Sequence, residues 1–269
     1  MLRNFATILL ILITFNIIGQ NCEIAFDLRQ WNKRGSPDAN WNLVDSSNVI
    51  NASYVFPSTF FVSPQQMINV KIRGTMSVET SFDDDFFGIV FGYKKPTNLA
   101  DDNDYNFFLF DWKAKTGSVS GYAAREGFRL SYYNGFISRA DQKILFWSPE
   151  NSPPKRRLIK EKYGSGLGWE PYRKYEFELI YTASHILISI DGEVIFEHTG
   201  CFEPGSIGFY CMSQELTRFE NFSYEYFIDF VPSSNSACIG EEISFYPYDQ
   251  NCAVLPDFID SLRWDFGDG

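Results

Sequence analysis

Tyr175-Glu-Phe-Glu-Leu-Ile-Tyr181 is followed by Ile186-Leu-Ile-Ser-Ile190, the pair Asp191-Gly192, and Glu193-Val-Ile-Phe-Glu197. In the first run Tyr175, Phe177, Leu179 and Tyr181 alternate with Glu176, Glu178 and Ile180. Successive side chains of an extended chain point to opposite faces, so this spacing predicts a half-buried strand. An Asp-Gly pair between two such runs suits the tight turn of a two-residue hairpin. Similar runs recur at 67–76, 86–93, 105–112, 128–133, 144–147, 206–212 and 221–230. Turn residues part them, as in Asp101-Asp-Asn-Asp104, Asn134-Gly135 and Glu203-Pro-Gly205. No stretch of a dozen residues carries a helical period. Many short strands at this spacing predict an all-β chain folded as a sandwich or barrel.

Composition agrees. Of 269 residues, 45% are apolar and 18% aromatic, with 27 Phe, 15 Tyr and 6 Trp. That excludes a disordered chain, which lacks the apolar surface to offset chain entropy. The formal net charge is −11. An acidic chain repels phosphate backbones, so nucleic acid is not an expected partner, and cations are the more natural ligands.

Residues 1–20 read as a secretory signal peptide: Arg3 precedes the apolar run Ile8-Leu-Leu-Ile-Leu-Ile-Thr-Phe-Asn-Ile-Ile18, and Gly19-Gln20 follow. The run is short of the ~20 apolar residues a membrane span needs, and no other segment qualifies, so the mature chain is expected to have no transmembrane segment. Export makes disulfides admissible. Cys201 with Cys211, and Cys238 with Cys252, are close enough in sequence to bridge, which leaves Cys22 over.

The segment Asp83-Asp-Asp-Phe-Phe-Gly-Ile-Val-Phe-Gly-Tyr93 resembles the DDDxxGFxFGY motif of the thrombospondin C-terminal domain, and Asn106-Phe-Phe-Leu-Phe-Asp-Trp-Lys113 resembles the strand that follows it. Asn40-Trp41, Gly168-Trp169 with Tyr175-Glu-Phe-Glu-Leu, Gly208-Phe-Tyr-Cys-Met-Ser-Gln-Glu215 and Phe222-Ser-Tyr-Glu225 resemble further segments of that family, in the right order. The resemblance implies a concanavalin A-like, L-type lectin-like jelly roll of two antiparallel sheets. It also implies calcium (Ca2+) binding and adhesion without catalysis, in a secreted or cell-surface protein whose partners are extracellular matrix or a cell-surface glycan or protein ligand. The chain departs from the family by an acidic insertion at 94–104.

The final Trp264-Asp-Phe-Gly-Asp-Gly269 resembles the hallmark of the polycystic kidney disease (PKD) domain, an immunoglobulin-like β-sandwich, with Cys238-Ile-Gly-Glu-Glu-Ile-Ser-Phe245 similar to its opening strand. The expected division is signal peptide at 1–20, lectin-like domain at 21–228, linker at 229–234 and a partial PKD-type domain at 235–269. That resemblance implies the N-terminal part of a longer exported bacterial surface protein.

The candidate metal ligands are Asp83, Asp84, Asp85, Asp104 and Asp111. Three consecutive carboxylates repel one another unless a cation or solvent relieves them, and calcium accepts six to eight oxygens in flexible geometry. Strict alternation would stop all three facing one ion. Asp101–Asp104 lacks the glycine and closing glutamate of a calcium-binding helix–loop–helix, and reads as a solvated tip or a second contribution to the same site. Asp111 interrupts an otherwise apolar strand and requires either an ion or a buried Lys or Arg. Lys155-Arg-Arg157 with Lys160 read as a solvated basic loop, and Trp147, Trp169 and Tyr172 as core rather than a sugar-stacking platform. Glycosidases that share the jelly roll carry paired acids on one strand. Glu176 and Glu178 begin such a series and Ile180 breaks it, so no enzyme is expected. The function expected is a calcium-binding lectin-like binding module. The alternatives are a structural spacer, or an accessory module of a carbohydrate-active enzyme whose catalytic domain lies beyond residue 269.

Overall fold

The computed structural model describes residues 23–94, 104–226, 230–232 and 245–247, apart from the single positions 55, 120 and 151. In chain order the strands are β1 (Ile24–Ala25), β2 (Asn32–Gly35), β3 (Trp41–Leu43), β4 (Asn48–Asn51), β5 (Thr59–Val62), β6 (Val70–Val78), β7 (Phe86–Tyr93) and β8 (Asp104–Lys113). They continue with β9 (Gly117–Val119), β10 (Tyr122–Ala124), β11 (Gly127–Phe136), then helix α1 (Arg139–Trp147), β12 (Arg156–Tyr163), β13 (Tyr175–Tyr181), β14 (His185–Ile190) and β15 (Glu193–Thr199). The last are β16 (Ser206–Met212), β17 (Thr217–Tyr226), β18 (Phe230–Pro232) and β19 (Phe245–Pro247).

Two large antiparallel sheets form, as expected. Sheet A is eight-stranded in the order β15-β14-β13-β6-β17-β4-β3, with β1 also paired to β17. Sheet B is seven-stranded in the order β12-β11-β8-β7-β16-β5-β2. The hairpin read from Asp191-Gly192 is present: Ile190 pairs with Glu193, and both turn residues have positive φ, 50° and 78°. β17 starts at Thr217, earlier than expected, and bulges at Asn221 (φ 54°), where its register against β6 shifts. Among the described residues β18 and β19 pair with each other and with no strand of either large sheet. The segment expected to be a signal peptide, the Trp264–Gly269 motif, and Cys22, Cys238 and Cys252 lie outside the described residues.

Alternation explains how the sheets pack. Tyr175, Phe177, Leu179 and Tyr181 of β13 face Phe87, Ile89, Phe91, Phe108, Phe110 and Trp112 of sheet B in one continuous core. Phe209 and Phe219 stack across the two sheets, with ring centroids 4.3 Å apart. β7 and β16 are buried at every residue, because the other side of sheet B is covered too. There Phe60, Phe86, Phe107, Leu109, Tyr133 and Tyr210 meet Leu145, Phe146 and Trp147 in a second core. Residues 144–147 thus belong to a helix and not to a strand. Four apolar residues in a row do not separate the two possibilities. Ser138, which accepts the Asp141 N–H at 3.2 Å, starts the helix.

The expected Cys201–Cys211 bridge does not form. Cys211 is a free thiol facing the core, 2.9 Å from the Thr217 hydroxyl, whereas Cys201 is exposed. Burial pushes the Cys211 thiol up to about 12, so it is unreactive there.

The second core encloses charge. Asp111 and Arg129 stand opposite one another in the β8–β11 register, and both are almost fully buried. Arg129 Nε donates to Asp111 Oδ1 at 2.9 Å, and Nη2 engages Asp111 Oδ2. The same guanidinium donates to the carbonyls of Phe146 at 2.7 Å and Ser148 at 2.8 Å. Arg156 Nη1 donates to the Leu145 carbonyl at 2.6 Å. The carbonyls at the end of α1 therefore receive arginine donors from β11 and β12, which tie the helix to the sheet. Asp111→Ala leaves Arg129 buried without its counter-charge and is expected to cost about 3–5 kcal/mol. The joint replacement Asp111→Leu with Arg129→Met should recover only part of that loss, since it removes the unpaired charge but also the donors to the Phe146 and Ser148 carbonyls. Denaturant midpoints check both, and a single variant as stable as the wild type would refute the role.

Candidate metal centre

The three consecutive aspartates occupy the turn between β6 and β7. Thr80 Oγ1 accepts the Phe82 N–H at 3.1 Å, and Asp83 Oδ1 accepts the Asp84 N–H at 2.9 Å. These local bonds turn the chain out of strict extension. One oxygen from each of Asp83, Asp84 and Asp85 then falls within 4.8 Å of the others. Strand alternation would have separated them, and the turn removes that obstacle.

Three distant segments hold the turn. The Asp85 N–H donates to Gln214 Oε1 at 2.9 Å, and the Trp169 indole N–H donates to the Asp85 carbonyl at 3.0 Å. Lys113, 1% exposed at the end of β8, donates to Asp84 Oδ1 and Asp85 Oδ1, each at 2.7 Å, and to the Asp84 carbonyl at 3.0 Å. Its ammonium lies 5.3 Å from the Phe86 ring centroid and 5.0 Å from that of Trp147. Gln214 is fully buried, and its carbonyl accepts from Asn51 Nδ2 at 2.9 Å.

One ammonium faces three carboxylates, and Asp83 Oδ2 is buried with no hydrogen-bond partner. Burial pushes the Asp85 carboxyl up to about 6, against the opposing pull of Lys113. Burial raises the Asp83 carboxyl as well. The site therefore holds more negative charge than the protein neutralises, on oxygens of the type a hard cation prefers.

Residues 36–227 match the family described as the thrombospondin C-terminal region. The chain belongs to that family. Thrombospondin-2 of Gallus gallus is 25% identical over 181 residues, which is 61% of this chain and 14% of that protein. Thrombospondin-2 of Homo sapiens is 24% identical over 174 residues, 58% of this chain and again 14% of the relative. The match thus covers a small part of each relative's length. Among solved structures, the carbohydrate-binding module CBM66 from Bacillus subtilis superposes with a TM-score of 0.48 at 12% identity, covering 73% of this chain and 95% of the module. The Ca2+/Man2-bound exoplasmic/lumenal domain of VIP36 has a TM-score of 0.49 at 7% identity, covering 77% of this chain and 88% of that domain. At such scores these are likenesses of outline only.

In this thrombospondin C-terminal domain the remaining expected ligands sit elsewhere. Asp111 is paired with Arg129 on the outer face of sheet B, which selects the buried-arginine alternative. Asp104 opens β8 opposite Phe136, while Lys113, beside the aspartate turn, closes it. Nine residues of strand, ~30 Å, separate those ends, so Asp104 and the turn do not converge. Asp101, Asp102 and Asn103 lie outside the described residues. The basic stretch expected as a loop is instead the start of β12, with Arg156 fully buried. Trp147 belongs to the second core, Trp169 to the first, and Tyr172 is exposed, so they make no common platform. Glu178 is paired with Arg73 at 2.9 Å and Lys71 at 3.1 Å, and although burial opposes it they hold its carboxyl below its ordinary value. A general acid needs the opposite shift. Lys113, Gln214 and Trp169 were missed as site residues. All three lie in segments that resemble the family, but nothing local marks them as partners of the aspartates, because that depends on contacts across the sheets.

The Asp85 shift carries a pH signature. Its folded-state value lies near 6, above the unfolded value of 3.8, so the folded protein holds the proton more tightly. That contribution to stability is full below about pH 4 and is lost as pH rises through about 6. In calcium-free buffer, Asp85→Asn should leave the Tm unchanged near pH 4 and raise it at about pH 7. A difference from wild type that does not vary with pH would contradict this.

Proposed function

We propose that the domain is an exported, calcium-binding, lectin-like adhesion or ligand-binding module of a larger protein, and that it is not an enzyme. The observation that carries this reading is the aspartate turn: clustered carboxylates, one ammonium to offset them, and a buried Asp83 oxygen with no partner. Asp83, Asp84 and Asp85 would hold the ion, with backbone carbonyls completing the oxygen set that calcium requires. The bound ion would supply the positive charge the turn lacks. The protein's own residues do the positioning. Lys113 draws Asp84 and Asp85 onto the end of β8, while Gln214 and Trp169 fix the Asp85 backbone.

Family membership supports a binding role, and the 1–20 segment supports secretion or display at the cell surface. The partners proposed are extracellular matrix or a cell-surface glycan or protein. The neutralised Glu178 favours binding over hydrolysis on sheet A. Any catalytic activity of a longer protein would then reside in another domain, with this one as its accessory module.

Calcium at about one hundred times its dissociation constant adds ~2.7 kcal/mol to stability, a rise in Tm of about 5–10 °C for a domain of this size. Asp83→Asn should remove at least half of that shift. Calorimetric scans with calcium and with chelator measure it, and identical Tm values in the two buffers would overturn the metal assignment. A glycan and matrix-protein array run in the same buffers separates the binding module from a spacer, since a spacer binds nothing in either.

A further inference from the structure

A second polar cluster, which includes Lys94 and Arg157, lies far from the aspartate turn. At the other end of the strands, where the edges of the two sheets meet, a cleft of about 680 Å³ is lined by Lys94, Asn106, Tyr132, Arg157, His198 and Glu203, among others. Arg157 lies on the edge strand of sheet B and His198 on the edge strand of sheet A. Asn106 and Lys113 are seven residues apart on β8, which puts the cleft ~23 Å from the aspartates.

Its polar groups are mostly donors. The Arg157 guanidinium lies over the Tyr132 ring, 5.7 Å from its centroid, and meets no carboxylate among the described residues. Stacking holds the planar fork in place without consuming its N–H groups. The Tyr132 hydroxyl donates to Asn106 Oδ1 at 3.2 Å, which orients the amide and leaves its two Nδ2 donors to offer. Among the described residues lining the cleft the acid is Glu203, which is held by Lys94 at 2.6 Å, and that ion pair keeps its carboxyl below its ordinary value. His198 is held below its ordinary value by burial, and then by the charges of Lys160 and Arg157, so it enters the cleft as a neutral imidazole donor.

A donor-rich cleft whose acid, among the described residues, is neutralised suits an anionic group. Its volume exceeds what a bare inorganic ion fills and falls in the range of small-molecule sites. The half-buried Tyr132 ring and the Thr199 side chain, both in the lining, suit a polyhydroxylated ring. A long polyanion would be repelled by the net charge of −11. We propose that this cleft binds an acidic sugar, gripping the carboxylate of a uronic acid or the sulfate of a sulfated hexose with Arg157, Asn106 and His198. This deepens the reading of the domain as a binding module and is independent of the metal.

The purified protein is titrated calorimetrically with glucuronic acid, glucose 6-sulfate, glucose and sodium sulfate. One of the two acidic sugars should bind at least 10-fold more tightly than glucose, and whichever does so identifies the anionic group. Arg157→Gln should weaken that binding at least 10-fold. Asn106→Asp, which keeps an oxygen for Tyr132 and adds a negative charge, should abolish it with an unchanged Tm. Asp84→Asn, at the far end, should leave it unaltered. Equal binding of glucose, binding insensitive to Arg157→Gln, or sulfate binding as tightly as its sugar ester would each overturn the acidic-sugar site. If the glycan and matrix array still captured a ligand in any of those cases, the binding-module reading would stand. Silence in both experiments would overturn both.

Discussion

Two opposite charges on the outer face of β8, Asp111 and Lys113, are buried two residues apart, and the rest of the molecule is arranged to satisfy them. Neither carries a partner on its own strand. Arg129 comes from β11 to Asp111 and then serves the end carbonyls of α1. Lys113 reaches past the start of β7 to the aspartate turn. A buried ion without its partner costs several kcal/mol, so each charge specifies which element must lie over it. One pins the helix that closes the second core, and the other pins the candidate metal centre.

This arrangement explains why an aromatic-rich sheet can be covered on both sides and still have a single register. A one-residue slip of β8 against β11 would part Asp111 from Arg129 and turn Phe107 and Leu109 from the helix side to the sheet-A side. Apolar burial drives the layers together without direction, and the paired charges add the direction. The helix is short and capped by Ser138 at one end and by buried arginines at the other, so its stability is mostly tertiary.

The two ends of the sandwich have opposite electrostatic character. At one, a turn concentrates carboxylates around a single ammonium, an environment that favours a cation. At the other, Arg157 and His198 face a cleft whose acid is already neutralised. The rigid sheets hold these ends apart, so a cation that stabilised one would do so without occupying the other.

Much of the architecture was legible because alternation is a local property. Tyr175 to Tyr181, the Asp191-Gly192 turn and the run at 206–212 each announced their elements without reference to the rest of the chain. The helix was not legible, since Ile144 to Trp147 reads equally as strand until the outer face of sheet B supplies a surface for Leu145 and Phe146. Asp83 to Asp85 could be singled out because three adjacent carboxylates are costly in any fold. Asp104 and Asp111 could be singled out as acids near strands, but not placed. The sequence by itself determined the central strands, the family and the acidic turn, while the short strands β1 to β5, β9 and β10 gave no such signal, because only longer periodic runs and charge density survive in one dimension. Only the tertiary structure decided that Asp111 belongs to Arg129, that Lys113, Gln214 and Trp169 organise the turn, and that Cys211 is shut in the core. Those outcomes depend on which segments meet across the sheets, and that is a matter of strand order and packing, not of neighbours along the chain.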